Sequence, residues 1–147
     1  MQNVFLADDD ADDREFFEVA LKEVGVATAL TLAKDGAELM NTLNEVVSVP
    51  PPPHIIFLDL NMPLKNGIEC LQEIRETPRF KNIPVAIFST TANETVIEKT
   101  YEMGANCYIC KPNSHKSLIN TIEAVLALNM WKTNMQLPKE QYVLTVK

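Results

Sequence analysis

The chain has 147 residues, 46% of them hydrophobic and 22% charged, the proportions of one globular domain with a single core. Its net charge of −7 is unevenly spread: seven of the twenty acidic residues lie between Asp8 and Glu18, where Arg14 is the only base. That balance argues against wrapping nucleic acid and for a cation site or a basic partner. No apolar run reaches the roughly 20 residues of a membrane helix, and no basic-then-apolar leader is visible, so the cytoplasm is the expected location.

Taken in chain order, apolar residues switch repeatedly between two periods. Residues 2–7 read as a short strand, and Phe17, Ala20, Leu21 and Val24 follow at helical spacing up to Gly25. Ala29 to Ala33 is strand-like, and Leu39, Met40, Leu43, Val46 and Val47 make a second helical face. Pro50 to Pro53 must leave the helix and stay extended. His54 to Leu58 is a continuous apolar run, as expected of a strand buried on both faces. Ile68, Leu71 and Ile74 form a third helical stripe.

Ile83 to Phe88 is a fourth strand, with Pro84 near its start, where proline is tolerated. Val96, Ile97, Thr100 and Tyr101 suggest a helix closed by Gly104. Cys107 to Cys110 reads as a fifth strand, and Leu118, Ile119, Ile122, Val125 and Leu126 as a fifth helix. Five strand-then-helix units in a row imply an α/β fold, a parallel sheet with helices on both faces. The stretch 132–147 is a tail, in which Tyr142 to Val146 has the composition of a strand but equally of a loose arm or docking segment. The cysteines Cys70, Cys107 and Cys110 are odd in number and read as reduced thiols. Cys107 and Cys110 have half-motif spacing for zinc or redox chemistry, but no second pair and no nearby His completes it.

Ligands of open parallel sheets bind beyond the carboxyl ends of the strands, where the strand order reverses. The residues that follow the strands are therefore the informative ones. Asp8 and Asp9 follow the first, Asp59 the third, Ser89 the fourth and Lys111 the fifth. Asp10, Asp12 and Asp13 suit the cap and first turn of a helix, where carboxylates complement the dipole. Asp8 and Asp9 come too early for that account. Two carboxylates about 4 Å apart repel by roughly 4 kcal/mol at an effective dielectric near 20, so the cluster needs a cation. Oxygen donors without His or clustered Cys favour a hard ion such as Mg²⁺. Mg²⁺ beside a free carboxylate, an ammonium and a hydroxyl suits phosphoryl transfer to that carboxylate.

The motifs "ADDD", "FLDLNMPLKNG", "PVAIFST" and "GANCYICKP", in that order, resemble the receiver domain of bacterial two-component response regulators over about residues 2–130. The spacings of 30 residues from Asp59 to Ser89 and 22 from Ser89 to Lys111 are similar to those of the family. The resemblance implies a flavodoxin-like five-stranded parallel sheet of order 2-1-3-4-5, with a receiver domain over 1–131 and a C-terminal tail over 132–147. It implies that Asp59 takes a phosphoryl group from a phosphohistidine of a sensor histidine kinase or a histidine phosphotransfer protein. Asp8 and Asp9 match the acidic pair that holds Mg²⁺, with Asp9 the direct ligand, and Asn61 matches the residue whose backbone carbonyl completes the set with Asp59. Ser89 matches the switch hydroxyl, although Thr90 adjoins it. Lys111 matches the phosphate-contacting lysine, its bond to Pro112 the family's cis peptide, and Tyr108 the aromatic switch position.

Two departures stand out: a long proline-rich connection before the third strand, and a tail too short for a DNA-binding domain. The resemblance therefore implies a stand-alone regulator rather than an enzyme, similar to those that accompany phytochrome-like and other sensor kinases. The output that this implies is a downstream protein target or a homodimer, with neither nucleic acid nor membrane involved. The alternatives are a phosphate-relay intermediate without an output switch and a non-phosphorylated pseudo-receiver acting as a binding module. A phosphatase of the aspartyl-phosphate type typically has a second Asp two residues after the nucleophile, where this chain has Asn61.

Overall fold

A computed structural model of the protein describes residues 2–48, 53–133 and 136–144. The strands are β1 (Gln2–Ala7), β2 (Thr28–Ala33), β3 (Ile55–Leu58), β4 (Val85–Ser89), β5 (Cys107–Cys110) and β6 (Val143–Leu144). The helices are α1 (Ala11–Glu23), α2 (Gly36–Ser48), α3 (Gly67–Glu76), α4 (Glu94–Glu102), α5 (His115–Ala127) and a short α6 (Met130–Thr133). All strands run parallel in the order β2-β1-β3-β4-β5-β6. The fold class is the expected one, with one strand more than the five expected. The tail supplies it: Val143 and Leu144 pair with Tyr108 and Ile109. Thr145 and Val146, and Pro50 to Pro52 of the proline run, lie outside the described residues. Pro53 is buried. Among the described residues no helix is long and apolar enough to cross a membrane.

Alternation along each strand divides the core in two. Phe5, Ile56, Leu58, Val85, Ile87 and Tyr108 face α2 and α3, which contribute Leu39, Leu43, Leu71 and Ile74, and α4, whose partly buried Val96, Ile97 and Tyr101 pack against them. Val4, Leu6, Phe57, Ala86, Phe88 and Ile109 face α1 and α5, which contribute Phe17, Leu21, Ile122 and Val125. Phe17 sits edge-on to both Phe57 and Phe88, with ring centroids 5.0 and 5.8 Å away. Fully burying side chains of this size stabilises by about 1.5–3 kcal/mol each.

Helix starts are fixed by side-chain caps. Asp10 accepts from the Asp13 N–H at 3.0 Å, Asn93 caps α4, and Ser114 caps α5. Asn66 and Glu69 form a reciprocal capping box at α3. The end of α4 is a Schellman turn. Gly104 has φ +94°, its N–H donates to the Tyr101 carbonyl, and the Ala105 N–H donates to that of Thr100. Arg75 of α3 clamps this turn, donating to the carbonyls of Gly104 and Ile83 and to Asn106 Oδ1.

The tail packs against the same region. Leu137 and Tyr142 are buried, the Leu137 N–H donates to the Asn106 carbonyl, and the Tyr108 N–H donates to that of Tyr142. Gln136 Nε2 donates to the carbonyls of Tyr101 and Ala105.

Candidate phosphoacceptor site

The strand order reverses at β1, which lies between β2 and β3. The acidic residues emerge at this point. Each central residue keeps one backbone bond to the sheet after its strand has ended. The Asp8 N–H donates to the Ala33 carbonyl, that of Asp59 to Ala7, and that of Lys111 to Ser89, at 3.0, 3.0 and 2.8 Å. The ladder thus fixes the main chain, and the side chains are free to converge beyond it. Behind Asp59 the chain turns tightly around Gly67, whose N–H bonds to the Leu60 carbonyl. A Cβ at Gly67 would lie 2.2 Å from the Asp59 carbonyl oxygen, so only glycine allows this approach.

Asp8 is fully buried and Asp59 is 5% exposed, while Asp9 and Asn61 are exposed at the rim. Carboxylate oxygens of Asp8, Asp9 and Asp59 all lie within 4.8 Å of one another. Asp8 accepts from the Asp10 N–H through Oδ1 and from Lys111 Nζ through Oδ2, at 3.0 and 2.8 Å. Asp59 Oδ1 accepts from the Leu60 N–H at 2.8 Å. Lys111 Nζ lies 2.8 Å from Asp13 Oδ2 and 3.5 Å from Asp59 Oδ2.

The electrostatics follow from burial and crowding. Desolvation, reinforced by the neighbouring Asp8 charge, pushes the Asp59 carboxyl up to about 6 against the pull of Lys111 and of the Leu60 and Asn61 N–H groups. For Lys111, burial opposes the charge, but hydrogen bonds to Asp13 and Asp8 and the field of Asp59 outweigh it and hold the ammonium above its ordinary value. The donor set of the three carboxylates is all hard oxygen, which fits Mg²⁺ or a similar ion.

Ser89 ends β4, fully buried, and its Oγ accepts from the Thr91 N–H at 3.3 Å. Thr90 is exposed. Tyr108 points to the same sheet face as Ser89, is fully buried, and donates its hydroxyl to the Thr91 carbonyl at 2.9 Å. Cys107 and Cys110 are free thiols, as are all three cysteines. They face opposite sides of β5, as their spacing in a strand requires.

Asp8, Asp9, Asp59 and Lys111 are thus brought together as the sequence led us to expect, with Asn61 at the rim. Asp10 is the expected helix cap. Asp13 lies in the first helical turn, as its sequence suits, and its carboxylate also reaches the lysine. Its offset of five residues from Asp8 was the available signal, since an N-cap at Asp10 puts the third helical residue over the same strand edge.

A buried carboxyl held above its ordinary value, an acidic cluster and an ammonium thus meet at the switch point of a parallel sheet. The model of the response regulator receiver domain matches residues 4–123, and the chain belongs to that family. Response regulator Rcp1 of Synechocystis sp. is 31% identical over 137 residues, 92% of each chain. The probable chemotaxis protein CheY of Rhizobium etli is 30% identical over 122 residues, 83% of this chain and 90% of that protein. The Mn²⁺-bound form of Rcp1 superposes with a TM-score of 0.77, covering 94% of this chain and 99% of that one. The phosphorylated cyanobacterial phytochrome response regulator RcpA does so with a TM-score of 0.78 at 32% identity and the same coverage.

Proposed function

We propose that Asp59 accepts a phosphoryl group in a two-component phosphorelay, donated by a sensor histidine kinase or a histidine phosphotransfer protein. The observation that carries this reading is the setting of Asp59: a buried carboxylate, 3.5 Å from the Lys111 ammonium, among carboxylates within 4.8 Å. A carboxylate oxygen of Asp59 forms a bond to phosphorus as the P–N bond of a phosphoimidazole breaks, and the electron pair leaves with the ring nitrogen. Lys111 offsets the negative charge on the phosphoryl oxygens, and the Ser89 hydroxyl hydrogen-bonds one of them. Asp8, Asp9, Asp59 and the Asn61 carbonyl would hold Mg²⁺, which when bound supplies further charge neutralisation. The reaction modifies the chain itself, so no small molecule is turned over beyond phosphoryl donors and the slow hydrolysis of the acyl phosphate.

Residues 1–131 are the phosphoacceptor unit in this reading, and 132–147 an appendage to it. The output passes from Ser89 and Tyr108 to a downstream protein or a second copy of the chain.

Intact-mass measurement after incubation with Mg²⁺ and acetyl phosphate tests acceptance. Wild type should gain one phosphoryl group, labile to alkali, and Asp59→Asn none. Equal labelling of both would move the acceptor elsewhere, and no labelling of either would leave the pseudo-receiver reading.

A further inference from the structure

Lys111 can donate three hydrogen bonds. Two of them run to Asp8 and Asp13, each at 2.8 Å, while the proposed acceptor Asp59 lies at 3.5 Å, beyond a good bond. The Lys111 side chain is 11% exposed and that of Asp13 33%. The ammonium is therefore shared between a buried carboxylate below it and a half-buried one on α1 above it.

The position of Asp13 is not accidental to the helix. Its N–H donates to the capping carboxylate of Asp10, which locks the first turn of α1. Arg14, the next residue, donates to the Asp8 carbonyl at 2.8 Å and ties that turn to the end of β1. The turn that carries Asp13 is thus tied both to its own cap and to the end of β1. Asp13 also lines a cleft of about 310 Å³ with Phe16, Pro112, His115 and Leu118.

We propose that Asp13 is a positioning residue that withholds Lys111 from Asp59 in the resting protein. A phosphoryl group on Asp59 carries charge that competes with Asp13 for the ammonium. Part of the attraction between Lys111 and the phosphoryl oxygens is then spent on releasing Asp13. The resting contact lowers the affinity of the site for a phosphoryl group. This rests on the reading of Asp59 as the acceptor.

A simple loss of negative charge near an anion site would also tighten anion binding, and Asp12 controls for it. Asp12 is exposed on the same helical turn and makes no ion pair with Lys111. Calorimetric titration of the Mg²⁺-loaded protein with beryllofluoride should show about tenfold tighter binding for Asp13→Asn, the factor that 1.4 kcal/mol represents. Asp12→Asn should change it far less, and Asp13→Glu should restore part of the wild-type weakness. In a Lys111→Met background the effect of Asp13→Asn should fall to that of Asp12→Asn, because the pair no longer exists. In the metal-free protein, the ¹⁵N-labelled Lys111 ammonium should lose protection from hydrogen exchange in D13N but not in D12N. Equal effects of D13N and D12N, or an effect of D13N that survives in the Lys111→Met background, would overturn the proposal while leaving the acceptor intact. A wild type that neither binds beryllofluoride nor labels on Asp59 overturns the acceptor reading, and the proposal with it.

Discussion

The hydroxyl of Tyr142 lies 2.7 Å from that of Thr100, and Tyr142 is the donor, because the single Thr100 proton is committed to the Ile97 carbonyl at 2.9 Å. The bond joins the tail to α4. The Tyr142 ring stands 5.0 Å from that of Tyr101 and 6.2 Å from that of Tyr108. Tyr142→Phe should therefore cost about 1 kcal/mol in urea unfolding, the worth of a typical hydrogen bond. Tyr142→Ala should cost about 3 kcal/mol or more, as large aromatic truncations do. A tail that contributes nothing to stability would leave both midpoints at the wild-type value.

Metal-free stability should depend on Asp59 with a definite sign. Its carboxyl titrates near 6 in the folded protein against 3.8 ordinarily. The folded state then binds the proton more tightly, so this group costs stability progressively as pH rises from about 4 through about 6. Asp59→Asn removes the cost, which is up to about 3 kcal/mol. Thermal melts in chelator should show the variant more stable than wild type at pH 7.5 and the two converging below pH 4. Mg²⁺ at about 100 times its dissociation constant should raise wild type by roughly 2.7 kcal/mol and the variant much less.

Gly104→Ala should destabilise by about 1–2 kcal/mol, since an L-residue is strained at its φ of +94°. The added methyl would also meet Arg75 Nε at 3.3 Å. Phosphoryl uptake from acetyl phosphate, at the opposite end of β5, should be unchanged. Denaturation midpoints and intact mass together check both halves of this expectation.

Ser89→Ala should still accept a phosphoryl group on Asp59 but lose the response that follows. The Ser89 Oγ bond to the Thr91 N–H and the Tyr108 bond to the Thr91 carbonyl meet at one residue. NMR with Mg²⁺ and beryllofluoride should therefore move the resonances of Thr91 and Tyr108 in wild type and not in the variant. Identical shifts in both would detach Ser89 from the switch.

The strands at the site were legible because their apolar runs are continuous. β1 and β5 have the bounds that their sequences suggest, 2–7 and 107–110. β4 does not. Its apolar run begins at Ile83, but Pro84 has no N–H to give, and only its carbonyl pairs, accepting from Ile56. At the other end Ser89 is a ladder residue opposite Cys110, which hydropathy cannot reveal. The sixth strand is two residues long, too short for any period to show, and its place is set by Tyr142 and Leu137 finding the core. The second role of Asp13 was hidden for another reason: the partner is 98 positions away, and locally a first-turn carboxylate is fully explained by the helix dipole.

The tail's attachment to β5 has a kinetic and competitive side. Because it follows α6 in the same chain, its closure is a unimolecular event, and closure through a short connection gives effective concentrations of the order of millimolar. A separate chain adding a strand at the same edge would have to displace a ligand present at that level, so at micromolar concentrations it needs roughly a thousandfold better intrinsic affinity. The β5 edge is thereby reserved, and the described sheet ends on β2 at one side and on the two-residue β6 at the other.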